Sequence, residues 1–153
     1  VLDADALNLL AQAPQALADA ILTPHPGEAA RLLGSDTATV QRDRFAAVRE
    51  LVERYRCAVV LKGAGSLVAA PGQTVRVIGA GNPGMAVGGM GDLLTGVVAA
   101  LRGQGLSAFD AASAGALLHS LAGDAAAGEL GQRGLLPSDL LPHLHRLANP
   151  RRA

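Results

Sequence analysis

The chain has 153 residues, half of them apolar, which is enough to bury one hydrophobic core and excludes an intrinsically disordered protein. Thirteen basic and thirteen acidic residues give a formal net charge of zero, and the basic ones are scattered. This pattern excludes the basic patch of a nucleic-acid-binding protein or a basic membrane-surface protein.

The single cysteine, Cys57, cannot form an internal disulfide or a multi-cysteine metal site, and its apolar neighbours predict a buried thiol. No apolar run is long enough to span a bilayer and no signal peptide opens the chain, so we expect a cytoplasmic protein with no membrane partner. Residues 1–5 resemble the end of a strand that runs directly into a helix. We therefore expect that an upstream part of the domain is missing, and part of any site with it.

The first half of the chain predicts alternating strands and helices. In chain order these are a strand over 20–23, a short helix over 28–33 ended by Gly34, a long amphipathic helix over 38–56 capped by Asp36, and a buried strand over 57–61.

The second half predicts a β-hairpin over 66–70 and 74–78, then a glycine-rich stretch, then helices over 93–102, 108–127 and 137–148. This order predicts one α/β sandwich domain over 1–148 with a mostly parallel sheet, followed by a dispensable tail over 149–153.

The stretch over 79–96, GAGNPGMAVGGMGDLLTG, combines dense glycine with a single acid. From Gly63 to Leu101 the only charged side chains are Arg76 and Asp92. Glycine-rich backbone at a helix N-terminus can direct several N–H groups at one phosphate. A carboxylate beside such a cradle would repel phosphate unless it takes the proton of the attacking hydroxyl, so Asp92 is a candidate base in phosphoryl transfer. The alternative is that Asp92 only caps the following helix.

Two common glycine motifs do not explain this stretch. Residues 79–84 match the dinucleotide fingerprint GxGxxG, but Pro83 stands where a helix should begin and no acid follows about 20 residues later to hold a ribose. A Walker A loop is excluded because no lysine follows these glycines.

A second glycine loop begins at Lys62, the only lysine of the chain, where the buried strand ends. Ligands of open α/β sheets bind at the carboxyl ends of strands, so this loop is a candidate nucleotide site, although it could equally be a solvated turn. His25 and Glu28 lie in another loop after a strand. Their residue types alone indicate only an exposed histidine and an acid at a helix N-terminus. The other three histidines share no metal-ligand spacing.

Four segments in this order resemble the NAD(P)H-hydrate dehydratase family, a ribokinase-like group that repairs nucleotide cofactors. They are VLDADALN (1–8), LTPHPGEAARLLG (22–34), VVLKGAGS (59–66) and GNPGMAVGGMGDLLTGVVAALRGQG (81–105), so the resemblance covers nearly the whole chain. It implies a ribokinase-like three-layer sandwich with a mostly parallel central sheet, of which this chain is the C-terminal portion. It also implies hydrated NADH or NADPH as substrate, ADP or ATP as phosphoryl donor, and Mg²⁺.

The resemblance also implies a role for particular residues. Asp92 would deprotonate the hydroxyl group that hydration adds to the nicotinamide ring of the substrate. His25 would contact this substrate, and Glu28 would help to place Mg²⁺ through water. Nucleotide contacts are implied for Lys62, Gly63, Ala64, Gly65, Ser66 and Gly91. A phosphate cradle is implied for Asn82, Gly89, Met90 and Gly91. Ser66 stands where the family usually has threonine, which keeps the hydroxyl.

Two other functions remain open from the sequence. A ribokinase-like kinase of a small alcohol would use the same base and cradle but release a stable phosphate ester, and a non-catalytic module would bind nucleotide without turnover. The helix over 108–127 is apolar on more than one face, which together with the family resemblance predicts a homo-oligomer such as a tetramer.

Overall fold

The computed structural model of the protein describes residues 1–149. Of the predicted tail over 149–153, only Asn149 falls within this range, and the remainder lies outside the described residues.

Seven α-helices and four strands make up this part of the chain. Their bounds are α1 Ala4–Gln12, β1 Ile21–Leu22, α2 Pro26–Leu33, α3 Thr37–Arg42, α4 Arg44–Tyr55, β2 Ala58–Leu61, β3 Ser66–Ala69, β4 Arg76–Ile78, α5 Met90–Gly103, α6 Ala108–Leu130 and α7 Leu141–Ala148. Short 3₁₀ helices lie at Pro83–Met85 and Pro137–Leu140.

The sheet has the strand order β1-β2-β3-β4. β1 pairs with β2 in parallel, and Leu2 adds a parallel bridge to Leu22 at the outer side of β1. The predicted hairpin forms β3 and β4: β3 pairs antiparallel with β2, and β4 pairs antiparallel with β3. The sheet is therefore mixed rather than mostly parallel in the described chain, since the hairpin supplies two antiparallel pairings.

Helices cover both faces of the sheet, because side chains of successive strand residues point to opposite faces. Val59 and Leu61 of β2 pack in one core cluster with residues of α1, α2, α3 and α4. Ala58 and Val60 pack in a second cluster with residues of α5 and α6. This arrangement confirms the predicted three-layer α/β sandwich.

Several helix boundaries differ from the prediction: α2 begins at Pro26, α6 ends at Leu130, and the helix predicted over 137–148 begins as a 3₁₀ helix. Two further differences have a local physical cause. The helix predicted over 38–56 is divided at Asp43, whose backbone is non-helical and whose carboxylate accepts the N–H of Ala46 at 2.9 Å, so that Asp43 caps α4. α5 begins at Met90, three residues before the predicted start, because Met90 is buried in a third apolar cluster beneath α6. Asp36 caps α3 and Gly34 ends α2 in the left-handed conformation, as predicted.

Cys57 is buried, as predicted, and burial raises the pKa of its thiol to about 11. The thiol therefore stays protonated and inert near neutral pH. None of the helices among residues 1–149 combines the length and the apolar character that crossing a membrane requires.

Candidate active site

A cleft of about 950 Å³ opens at the edge of the sheet where the parallel strands end. Asp3 follows the bridging residue Leu2, His25 follows β1, and Lys62 follows β2, so each parallel segment delivers one polar residue to this edge. All twelve predicted site residues line the cleft: His25, Glu28, Lys62, Gly63, Ala64, Gly65, Ser66, Asn82, Gly89, Met90, Gly91 and Asp92.

Asp92 lies exposed on the first turn of α5 and faces the cleft. The N-cap of α5 is Gly89, with a positive φ of 88°, and no side chain caps this helix. The alternative that Asp92 is the cap is therefore wrong. Within residues 1–149, neither the Asp92 carboxylate nor the N–H groups of Gly91 and Asp92 have a hydrogen-bond partner. The site thus presents a free carboxylate beside free amides at a positive helix end.

Lys62 lies below this helix end and binds two acids. Its Nζ donates a hydrogen bond to Asp3 Oδ1 at 2.8 Å and lies 3.8 Å from Glu28 Oε2. A side chain at Gly91 would place its Cβ 3.1 Å from the same Nζ, so glycine allows the helix to approach the lysine. The Lys62 ammonium group therefore connects the segments that carry Asp3, Glu28 and Gly91, which together form the floor of the cleft.

Asp3 is held ionised by its neighbours. Burial by itself would raise the pKa of the carboxyl, but the hydrogen bond and charge of Lys62 and a hydrogen bond from Thr95 outweigh it and lower the pKa below the ordinary 3.8. Thr95 Oγ1 donates to Asp3 Oδ2 at 2.9 Å and lies 3.3 Å from Thr23 Oγ1. Both carboxylate oxygens of Asp3 are thus occupied by donors of the protein.

His25 and Glu28 form a capping box at the start of α2. His25 Nδ1 accepts the N–H groups of Gly27 and Glu28 at 3.0 and 3.3 Å, and the Glu28 carboxylate accepts the His25 N–H at 2.8 Å. The side chain of His25 is half exposed and lines the cleft, while its Nε2 lies 3.5 Å from Glu28 Oε1. Glu28 is buried at the cleft wall.

The loop over 63–66 is a tight turn that only glycine permits. Gly63 and Gly65 have φ angles of 147° and 63°, a region that L side chains rarely adopt. The Ser66 hydroxyl accepts the Gly63 N–H at 3.3 Å and donates to the Gly63 carbonyl at 3.1 Å. The hydroxyl therefore closes the turn, a function that serine performs as well as threonine.

The glycine-rich loop before α5 is fastened to α6 by Asp124. Its carboxylate accepts the Gly81 N–H at 2.8 Å and Asn82 Nδ2 at 2.9 Å, and Asn82 Oδ1 accepts the Gly84 N–H at 3.0 Å. Asn82 thus uses its amide group to hold the loop. A side chain at Gly123 would meet Met85 Sδ at 2.3 Å, so glycine there lets the loop lie against the helix.

Replacing Asp124 by alanine should release this loop, because two charge-assisted hydrogen bonds are lost together. We expect the free energy of unfolding to fall by about 1–3 kcal/mol, and the Gly81 amide to exchange its hydrogen faster. Urea unfolding and amide hydrogen exchange measure the two effects. Glu129→Ala removes an exposed acid of the same helix and should cost less than about 1 kcal/mol. Unchanged exchange at Gly81 in the Asp124 variant would contradict the assignment.

Sequence reasoning missed two residues of the cleft, Asp3 and His119, and also Asp124, which holds the glycine-rich loop beside it. Asp3 could have been found, since it follows a strand at the same edge as His25 and Lys62. Asp124 and His119 lie within an apolar helix and carry no local signal. His119 lines the cleft but is buried, its Nε2 has no hydrogen-bond partner among the described residues, and burial lowers its pKa to about 4. It is therefore neutral near pH 7.

A directly ligated metal does not fit the described residues, which contain no group of three or more histidine, cysteine, aspartate or glutamate side chains around one point. The Glu28 carboxylate faces the cleft but is already held by the His25 N–H and Lys62. One such carboxylate suits Mg²⁺ that is held mainly by phosphates and keeps its waters.

The profile of one protein family, described as NAD(P)H-hydrate dehydratase, matches residues 1–146. The chain is 57% identical over 150 residues to the bifunctional NAD(P)H-hydrate repair enzyme Nnr of Coxiella burnetii. It is 45% identical over 156 residues to the ADP-dependent (S)-NAD(P)H-hydrate dehydratase of Neisseria meningitidis serogroup B. These alignments cover 98% and 97% of this chain but 31% and 53% of the two relatives. The chain thus spans about a third of one relative and about half of the other.

Among solved structures, the ADP/ATP-dependent NAD(P)H-hydrate dehydratase of Bacillus subtilis, co-crystallised with ATP and Mg²⁺, matches with a TM-score of 0.85 at 29% identity. The match covers 96% of this chain and 53% of that one. Ribokinase of Arabidopsis thaliana matches with a TM-score of 0.50 at 22% identity, over 81% of this chain and 40% of its own, which shows a shared fold. The ribokinase-like fold expected from the sequence is confirmed.

Proposed function

Because the chain belongs to the NAD(P)H-hydrate dehydratase family, we propose that it carries the catalytic cleft of an enzyme that removes water from hydrated NADH or NADPH. ADP or ATP is the phosphoryl donor of this reaction. The observation that supports this most is the placement of Asp92, an exposed carboxylate without a partner among the described residues, beside free amides at the start of α5. Such an enzyme is a lyase, and the phosphoryl transfer only prepares the leaving group.

In this proposal Asp92 accepts the proton of the ring hydroxyl while that oxygen attacks the terminal phosphoryl group of the nucleotide. The amides of Gly89 and Gly91 stabilise the charge that develops on the transferred group, since they lie at the positive end of α5. The third amide expected in this cradle, that of Met90, is already donated to the Val87 carbonyl at 3.4 Å. The phosphate ester then loses inorganic phosphate and a proton from the neighbouring carbon. The phosphoryl transfer leaves AMP from ADP or ADP from ATP, and the elimination restores the reduced nicotinamide ring.

The nucleotide would lie against the loop formed by Lys62, Gly63, Ala64, Gly65 and Ser66, which borders the same cleft as Gly91. His25 would contact the nicotinamide substrate through the half of its side chain that is exposed in the cleft. Glu28 would orient Mg²⁺ through water, and Mg²⁺ when bound neutralises part of the phosphate charge. The ADP-dependent Neisseria relative and the ADP/ATP-dependent Bacillus enzyme support ADP or ATP as the donor.

We further propose that the enzyme is cytoplasmic, where its cofactors circulate, and that it forms a homo-oligomer such as a tetramer. Apolar side chains on the outer face of α6 support an oligomer. Leu117 and Leu121, which lie four residues apart on one face, are 43% and 38% exposed there.

The deciding experiment incubates the protein with hydrated NADPH, Mg²⁺, and ADP or ATP. We expect the absorbance of reduced nicotinamide to return in step with release of inorganic phosphate. A stable phosphate ester without regained absorbance would instead identify a small-alcohol kinase. Nucleotide binding by calorimetry with no turnover of any hydrate would identify a non-catalytic module.

A further inference from the structure

We propose that Arg44 is a positioning residue that shapes the loop over 62–66 for nucleotide phosphates. Arg44 is the first residue of α4 and does not line the cleft, so it approaches the loop from the opposite side. This inference rests on the proposed nucleotide-binding role of that loop.

Three backbone carbonyls of the loop region converge on one guanidinium group. Arg44 Nη1 donates to the Ala64 carbonyl at 2.6 Å, and Nη2 donates to the carbonyls of Leu61 and Lys62 at 3.1 and 3.4 Å. Only the planar fork of arginine offers donors to several acceptors in a fixed geometry. A side chain at Gly63 would place its Cβ 3.0 Å from Nη2, so glycine is needed for this close approach.

These carbonyl directions determine where the loop amides point. In a planar trans peptide the N–H points away from the carbonyl of the same unit. The Ala64 carbonyl faces Arg44, so the Gly65 N–H is directed to the other side of the loop, where the cleft lies. Within residues 1–149 the N–H groups of Ala64 and Gly65 have no acceptor, whereas those of Lys62 and Gly63 are bound to Pro24 and Ser66. Arg44 therefore directs the free Gly65 amide toward the cleft, whereas the Ala64 amide is oriented by the Gly63 carbonyl, which accepts the Ser66 hydroxyl.

The positive charge of Arg44 also favours an anionic ligand at this loop. Arg44 forms no ion pair with an acid among the described residues, and it occupies the carbonyl oxygens that would otherwise repel an anion near the loop. Burial lowers the pKa of its guanidinium, but the group remains protonated in proteins. The ligand class that this arrangement fits is a di- or triphosphate ester.

The test compares Arg44→Gln, Arg44→Lys and Arg54→Gln, the last being an exposed arginine of the same helix. Calorimetry measures the Kd for ADP and ATP, and steady-state kinetics give separate KM values for the nucleotide and for the hydrate. Hydrogen exchange measures the protection of the Gly63–Gly65 amides. We expect Arg44→Gln to raise the nucleotide Kd and KM about tenfold or more, with an unchanged KM for hydrate and faster amide exchange without ligand. Arg54→Gln should have the same nucleotide Kd, nucleotide KM and amide exchange as the unchanged protein. Arg44→Lys should have values between those of Arg44→Gln and those of the unchanged protein.

Equal nucleotide affinity of Arg44→Gln and the unchanged protein would overturn the inference while leaving the proposed function intact. Absence of nucleotide binding by the unchanged protein would overturn both. If Arg44→Gln does not fold, Arg44→Lys decides, because lysine keeps the charge and the apolar stem but loses the fork. A folded Arg44→Lys with unaltered nucleotide KM and unaltered exchange would then refute the positioning role.

Discussion

Asp92→Asn should lower kcat by about 10² to 10⁴-fold and leave the fold unchanged. Asparagine has nearly the same size and polarity but cannot accept the proton of the attacking hydroxyl at neutral pH. Asp92 is exposed and makes no capping hydrogen bond, so we expect the free energy of unfolding to change by less than about 0.5 kcal/mol. Single-turnover phosphate release and urea unfolding measure the two quantities.

The matched control is Asp5→Asn, which makes the same change at an exposed acid in the first turn of α1 that does not line the cleft. Its turnover should equal that of the unchanged protein. Retained turnover in Asp92→Asn would remove Asp92 as the base. A large loss of stability in that variant would mean that the carboxylate supports the fold after all.

Lys62→Met should destabilise the protein by about 3–5 kcal/mol at pH 7, because it leaves the buried carboxylates of Asp3 and Glu28 without their cation. Nucleotide binding should be lost with it. Lys62 and its two partners have side chains only 18%, 10% and 8% exposed, so water cannot replace the missing charge. Urea unfolding and calorimetry with ADP are the measurements.

The loss of stability in Lys62→Met should also depend on pH, and it should become smaller as the pH falls. In the unchanged protein the folded pKa of Asp3 is lowered, so its carboxylate contributes stability above the unfolded value of 3.8 and loses it as pH falls through the lower folded pKa. Without Lys62, burial raises the folded pKa instead, so the folded variant gains stability as pH falls toward the unfolded value. The deficit should therefore be smaller at about pH 5 than at pH 7.

Two variants separate the charge effect from packing. Lys62→Arg keeps a cation and should retain most of the stability, although its nucleotide affinity should fall because the guanidinium differs in shape. Asp3→Asn combined with Lys62→Met should recover part of the loss, since the buried charge is removed together with its partner. A deficit that is equal at both pH values would show that Asp3 is not responsible.

The parts of this site that the sequence could predict are those with a local signature. Apolar runs predicted the strands, and the carboxyl-end rule then made the loop that begins at Lys62 a candidate nucleotide site, whereas His25 was assigned a role only through the family resemblance. The isolation of Asp92 among uncharged residues was sufficient to indicate a candidate base. These signals depend on residues close together in the chain, and the fold places all of them in one cleft.

The parts that could not be predicted depend on contacts between distant segments. Lys62 pairs with Asp3 across 59 positions, and Asp124 binds Asn82 across 42. Nothing near Asp124 in the sequence indicates that its carboxylate faces the glycine loop. The division of the long helix at Asp43 was missed for another reason, since an aspartate can cap a new helix within an otherwise regular apolar pattern.

The hydrogen bond from Thr95 to Asp3 joins residues 92 positions apart. Closing so long a loop has a high entropic cost, so this linkage should belong to the final stage of folding, after the hairpin and the helices have formed. Catalytic competence would then appear only once the chain has reached its native topology. A partly folded chain with intact helices would have the base and the glycine loops but no assembled floor beneath them.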